Sequence, residues 1–204
     1  MLRVGITGGI GSGKTTVSKI FEVLGIPVYY ADTAAKHLME NDPELIRQII
    51  SIFGEPAYKD GKLNRSYISG IAFNQPAKLE ALNAVVHPAT INDAARWMEK
   101  QKAPYSIKEA ALIFESGTQS QYDFIIGVFS PRAIRINRVI KRDNITAEEV
   151  KKRMDRQINE EIKMRLCDAV ITNNDQQLII PQVLALHQHL LELGGRKSST
   201  PKPG

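Results

Sequence analysis

Residues 8–15 read GGIGSGKT, directly after the apolar run LRVGIT at 2–7. Glycines, a serine, a lysine and a threonine stand where a strand would end and a helix begin. Gly8, Gly13, Lys14 and Thr15 satisfy the spacing G-x-x-x-x-G-K-S/T in that strand, turn and helix setting, the signature of a loop that wraps its backbone around phosphates. Glycines allow close approach to the anion, and the positive end of the following helix points at it. Lys14 adds a full charge at the transferable phosphates, and Thr15 offers a hydroxyl to Mg²⁺. ATP is therefore expected at Gly8, Gly11, Ser12, Gly13, Lys14, Thr15 and Thr16. A dinucleotide-binding turn fits poorly, because the G-x-G-x-x-G spacing is not met and Lys14 stands where the third glycine is wanted.

Outward from this loop, short β-branched runs alternate with longer helical patterns, which argues for an α/β fold with a mostly parallel sheet flanked by helices. Val17, Ile20, Phe21 and Leu24 recur at helical spacing, and Gly25 supplies the stop. Further strands are expected at 26–30, 105–114, 123–130 and 168–173, giving five with the first, and a last helix over about 177–193. The stretch 41–102 is too long for a loop and reads as an inserted helical lobe, broken at Gln75-Pro76 and at His87-Pro88. A charged helical stretch covers 132–165. The nucleotide-binding core then comprises 1–40, 103–131 and 166–193, and the Gly-, Ser- and Pro-rich stretch 194–204 reads as a disordered tail.

A length of 204 residues suffices for one good-sized core with smaller excursions around it. Hydrophobic residues at 43% and charged residues at 24% exclude a disordered or fibrous chain. Cys167 is the single cysteine, so an internal disulfide or a thiol cluster for zinc is excluded. It reads as a small strand hydrophobe, and a reducing cytoplasm is the expected compartment. No apolar run approaches the roughly 20 residues of a membrane span, and the first residues lack the basic flank and cleavage site of an export signal. A net charge of +5 suits nucleic acid and small polyanions alike. Aromatics at only 6%, with no stripe that interleaves them with basic residues, weigh against nucleic acid.

A phosphate loop alone serves GTPases, mechanical ATPases and small-molecule kinases. The Asn-Lys-x-Asp motif of a GTPase is missing; the nearest stretch, TNNDQ at 172–176, lacks the lysine. A helical lobe after the second strand and an arginine-bearing segment before the last fit a kinase that closes over two substrates and excludes water. Asp32 follows the second strand at its carboxyl end, where ligands of open α/β sheets collect; on residue type it reads equally as an acid for an acceptor hydroxyl or, with Thr33, as a helix cap. Arg138 and Arg142 share a helix face by their four-residue spacing, and that face either reaches ATP phosphates or is solvated. His87 before Pro88 reads as a packing residue at a helix end.

Several stretches, in order and spacing, resemble the dephospho-coenzyme A kinase family. They are GITGGIGSGKTTV, YYAD ending at Asp32, LNR at 63–65, LEALNAVVHP ending at His87-Pro88, ALIFES at 111–116, RVIKRDNIT from Arg138, the spaced Arg153 and Gln157, and VITNND. The resemblance covers about residues 2–190. It implies a P-loop NTPase core with a five-stranded parallel sheet, a helical coenzyme A-binding lobe at 41–102 and a helical lid at 132–165. The implied reaction is ATP- and Mg²⁺-dependent phosphorylation of the ribose 3′-hydroxyl of dephospho-coenzyme A, the last step of coenzyme A synthesis. Implied roles are catalysis for Lys14, Asp32 and Arg142, acceptor binding for Asp32, Arg65 and His87, and ATP binding for Arg138, Arg142 and Asn173, the last beside adenine. The chain departs from the family pattern at Tyr30, where a second acid is usual, at Glu109 for aspartate, at Ala111 for proline and at Asp175 for glycine. Glu109 remains a candidate to touch Mg²⁺ through water. The alternatives are a P-loop kinase for another small hydroxyl acceptor, such as a nucleoside or nucleotide, and a nucleic-acid-stimulated P-loop ATPase.

Overall fold

In the computed structural model, which describes residues 1–199, the strands are β1 (Leu2–Thr7), β2 (Val28–Tyr30), β3 (Tyr58–Lys59), β4 (Lys62–Leu63), β5 (Tyr105–Glu109), β6 (Phe124–Phe129) and β7 (Ala169–Thr172). The helices are α1 (Lys14–Val23), α2 (Ala31–Asn41), α3 (Pro43–Phe53), α4 (Arg65–Asn74), α5 (Pro76–Glu99), α6 (Arg132–Asp143), α7 (Ala147–Met154), α8 (Glu160–Arg165) and α9 (Ile179–Ser199). Two compact units result: 1–29 together with the chain from 101 onward, and Tyr30–Lys100.

In the first unit, β1 occupies the centre of a five-stranded parallel sheet of order β2-β5-β1-β6-β7. It suits that place because every residue of LRVGIT except Arg3 is buried, the near-continuous apolar pattern of a strand covered on both faces. Its register runs from Leu2↔Tyr105 to Ile6↔Glu109 against β5, and from Val4↔Phe124 to Thr7↔Gly127 against β6. Val17 and Phe21 of α1 and Val183 and Leu190 of α9 close over Leu2, Val4, Ile6, Tyr105 and Ile126 to make the main core. Phe21 meets Tyr105 edge-on at 6.4 Å between ring centroids, a favoured aromatic geometry. The Tyr105 hydroxyl bonds His187 Nδ1 at 2.6 Å, and burial pushes its pKa up.

The third sheet strand in chain order, expected to reach Phe114, stops at Glu109. Residues 111–117 form turns instead, held where Ser116 Oγ donates to the Leu112 carbonyl and Thr118 Oγ1 to the Ile113 carbonyl; local side-chain bonds of this kind compete with strand pairing. Cys167 is not in a strand. It sits in the turn before β7 with Sγ donating to the Lys163 carbonyl, and burial pushes its thiol up to about 12. The tail expected to be disordered from 194 is helical through Ser199; residues 200–204 lie outside the described residues. The segment 132–165 belongs to the sheet unit as α6, α7 and α8, with Met164 packed so close to β6 that a Cβ on Gly127 would lie 2.7 Å from its sulfur.

The second unit begins at Tyr30, not at 41, because Ala35, Leu38 and Met39 of α2 pack onto the cluster of Leu45, Ile49, Phe53 and Val86. Asp42 caps α3 by accepting from the Glu44 and Leu45 amides, with Pro43 at the first helical position. Asp60 and Gly61, both at positive φ, make the tight turn of the β3–β4 hairpin. The break expected at Pro88 does not occur, and α5 runs through it to Glu99. A proline inside a helix costs about 3 kcal/mol; Val86, Thr90, Ala94 and Met98, buried at four-residue steps on both sides of it, outweigh that cost. His87 is therefore a mid-helix residue. Among the described residues no helix is long and apolar enough to cross a membrane.

Phe21 is fully buried on the face where α1 meets the sheet. Phe21→Ala is expected to destabilise the fold by about 3–5 kcal/mol, read from the midpoint of urea unfolding.

Candidate active site

The loop between β1 and α1 receives polar side chains from α6, from the α7–α8 turn, from the start of α8 and from the chain just past β7. Gly13 takes a left-handed conformation, φ 95°, and no side chain caps α1. Its position tolerates no Cβ, which would lie 2.1 Å from Nδ2 of Asn173. Asn173 is buried just past the end of β7 and donates from Nδ2 to the Ser12 carbonyl at 2.8 Å. The Lys14 ammonium donates to the Gly8 carbonyl at 3.0 Å and lies 3.4 Å from that of Gly9, so its charge sits inside the loop. Thr15 and Thr16 are exposed at the start of α1, while Ser12 is buried, its Oγ without a hydrogen-bond partner.

Arg138 of α6 reaches the same loop. Its guanidinium donates to Oδ1 and the carbonyl of Asn173, at 3.1 and 3.2 Å, and to Ser130 Oγ at 3.3 Å. It also pairs with Asp175. Asp175 stands at φ 61°, so the turn keeps the left-handed backbone that a glycine would take there, a conformation aspartate tolerates better than most residues. Arg142, one turn further along α6, engages Asp143, which also receives Arg153. The Arg142 guanidinium, then Arg153, hold the Asp143 carboxyl below the usual carboxylate range.

On the other side of β1, Glu109 ends β5, and Thr15 Oγ1 donates to its Oε2 at 3.3 Å. Hydroxyl and carboxylate together form an oxygen-only donor set, which suits a hard divalent cation completed by water and phosphate. Among the described residues no cluster of three or more His, Cys, Asp or Glu side chains is placed to hold a metal. Lys108, next to Glu109, is buried within 6.0 Å of the Tyr122 ring centre, and burial pushes its pKa down.

In the second unit, Asp32 occupies the first turn of α2, inside the helix; Tyr30 holds the cap position. The capping alternative for Asp32 and Thr33 therefore fails, and an exposed carboxylate remains at a helix start, where the helix dipole favours negative charge. Arg65 opens α4 and pairs with Glu40 at 3.0 Å, whereas His87 lies in the middle of α5.

Sequence reasoning missed Arg135 and Glu160. They form a nearly buried ion pair at 3.1 Å, with side chains 8% and 11% exposed, and Glu160 Oε1 accepts from the Gly9 amide at 3.2 Å. The three-residue step from Arg135 to Arg138 was the available signal for the first. Nothing in the local sequence marked the second.

Comparison with known proteins identifies the family. The family model for dephospho-CoA kinase matches residues 2–178. A dephospho-CoA kinase from Mannheimia succiniciproducens is 36% identical over 97% of this chain and 95% of its own length. One from Fusobacterium nucleatum is 38% identical over 85% and 90%. The solved structure of dephospho-CoA kinase from Campylobacter jejuni superposes with a TM-score of 0.69 at 25% identity, covering 93% of this chain and 97% of that one. With a model matching most of its length, a phosphate loop at the expected turn and an oxygen pair beside it, the chain belongs to the dephospho-CoA kinase family.

Proposed function

We propose that this chain transfers the γ-phosphoryl group of ATP to the ribose 3′-hydroxyl of dephospho-CoA, giving CoA and ADP in the cytoplasm. The observation that carries the reading is the family match over residues 2–178 around an intact phosphate loop. The amides at the start of α1 bind the phosphates, and Lys14 turns from the Gly8 carbonyl toward them, stabilising charge on the transferring group. Thr15, with Glu109 through water, would hold Mg²⁺. Bound there, the ion would supply positive charge to the transferring phosphoryl group. Asp32, an exposed acid in the first turn of α2, orients the acceptor hydroxyl or takes its proton.

Residues 30–100 form the acceptor lobe, with Arg65 and His87 as its contacts. The α6–α8 segment acts as a lid that excludes water, Arg142 leaving Asp143 for the phosphates on closure. Arg138 and Asn173 are assigned to the ATP site, where their bonds to each other and to the loop set its shape.

A coupled ADP-release assay over a panel of acceptors tests the reaction: dephospho-CoA is expected to raise ADP production well above the no-acceptor blank. A nucleoside acting where dephospho-CoA does not would overturn the assignment, and stimulation by DNA or RNA would point to an ATPase. Lys14→Ala is expected to lower turnover at least about a hundredfold in a folded protein; near-normal turnover removes Lys14 from the mechanism. Asp32→Asn is expected to lower turnover by about two orders of magnitude, while thermal unfolding registers only the lost dipole interaction of about 0.3–1 kcal/mol. An active Asp32→Asn enzyme would mean that another residue handles the proton.

A further inference from the structure

Two backbone amides of the phosphate loop are already taken by side chains of the chain itself. The Ile10 amide donates to Gln157 Oε1 at 2.9 Å and the Gly9 amide to Glu160 Oε1 at 3.2 Å. Both acceptors come from one short stretch, Gln157 in the turn that joins α7 to α8 and Glu160 at the start of α8. That turn is fastened independently of the loop. The Ile158 amide donates to Glu115 Oε1 at 3.1 Å, and Glu115 pairs at 2.8 Å with Lys163, which is fully buried and also donates to the Ala111 carbonyl at 3.0 Å. The Ile10 side chain packs on the cluster of Val139, Val150 and Met154, so this end of the loop is gripped through both backbone and side chain.

A carboxylate on an anion-binding loop competes with the phosphates it should welcome. Glu160 escapes that conflict because Arg135 neutralises it at 3.1 Å in a nearly buried site. The pair is fitted to its neighbour: a Cβ on Gly9 would lie 1.8 Å from Nη1 of Arg135 and 2.5 Å from Oε2 of Glu160. Gln157 does the same task for Ile10 without charge.

We infer that Gln157 and Glu160 are positioning residues of the phosphate loop, holding the Gly9 and Ile10 amides out of the anion site and tying the loop's shape to the α7–α8 turn. A glycine-rich loop left free samples many shapes, and ordering it around phosphate would weaken binding; the two acceptors order it beforehand. The inference rests on the phosphate loop and ATP, not on the identity of the acceptor.

Gln157→Met tests it, since methionine keeps the length of the side chain, removes the acceptor and leaves no buried charge behind. Calorimetric titration with Mg²⁺-ATP in the absence of any acceptor is expected to show about tenfold weaker binding. KM for ATP rises in parallel, with kcat and KM for dephospho-CoA within about twofold of the parent. Amide exchange at Ile10 quickens. Gln157→Glu, which keeps an oxygen for the Ile10 amide, restores slow exchange there. Unchanged ATP affinity in folded Gln157→Met overturns the proposal, as does an equal rise in KM for both substrates or exchange at Ile10 that ignores the substitution. Because the titration uses no acceptor, a failure of the dephospho-CoA assignment leaves this result readable.

Discussion

A loop that binds phosphate through its backbone must keep its amides facing outward with little side chain in the way, and most of the sheet unit answers to that need. The requirement explains why contact is so close around residues 8–13. Asn173 fills the space where a Gly13 side chain would be, and the Arg135–Glu160 pair fills the space beside Gly9. Glycine therefore serves two ends here, the left-handed turn at Gly13 and the room for neighbours that grip the loop from outside. The centre of the sheet supplies the rigid base: β1 is hydrogen-bonded on both sides, so the point where the loop leaves it is fixed by β5 and β6 alike.

The electrostatics around that loop follow a common rule. Cations gathered for a polyanion would repel one another in its absence, and a partly buried cation without a partner is costly. Arg135 has Glu160, Lys163 has Glu115, Arg138 has Asp175, and Arg142 shares Asp143 with Arg153. Burial pushes the Arg135 pKa down, an effect that Glu160 opposes. The pairs differ in exposure, and so in how readily they part. Arg135–Glu160 and Lys163–Glu115 are almost wholly buried and serve as fixtures, whereas Arg142 is 62% exposed and Asp175 64%. Exposed pairs contribute little to stability, so the Arg142–Asp143 and Arg138–Asp175 pairs part at smaller cost than the buried ones. The buried pairs act as fixtures; the exposed ones can rearrange.

The phosphate loop was legible in the sequence because its chemistry is local: the spacing from Gly8 to Thr15 and the apolar run before it specify strand, turn and helix together. The five strands were legible for a similar reason, lying in short stretches rich in β-branched or aromatic residues. What escaped reading depends on distant partners. Pro88 looked like a helix end because its penalty is local, while the burial that overcomes it comes from helices elsewhere in the unit. Residues 110–114 looked like strand because they are apolar, yet the bonds from Ser116 and Thr118 turn the chain away. Asp32 read equally as cap or acid until the helix start at Ala31 placed it inside the first turn. Glu160 reaches Gly9 across 151 positions of sequence, and no local pattern carries that.

Asp175 shows how a residue with a side chain is held in a left-handed turn. Where glycine would accept the left-handed backbone freely, aspartate accepts it at φ 61° at modest strain. Its carboxylate pairs with the guanidinium of Arg138, which also bonds Asn173. Asn173 in turn holds the Ser12 carbonyl. Asp175 thus joins the end of β7, the middle of α6 and the phosphate loop through one ion pair. That link is exposed and worth little on its own, so the loop keeps its shape through Asn173 if the pair parts. The physical consequence is a division of labour at Arg138: its bonds to Asn173 maintain the loop, and its pairing with Asp175 neutralises its charge.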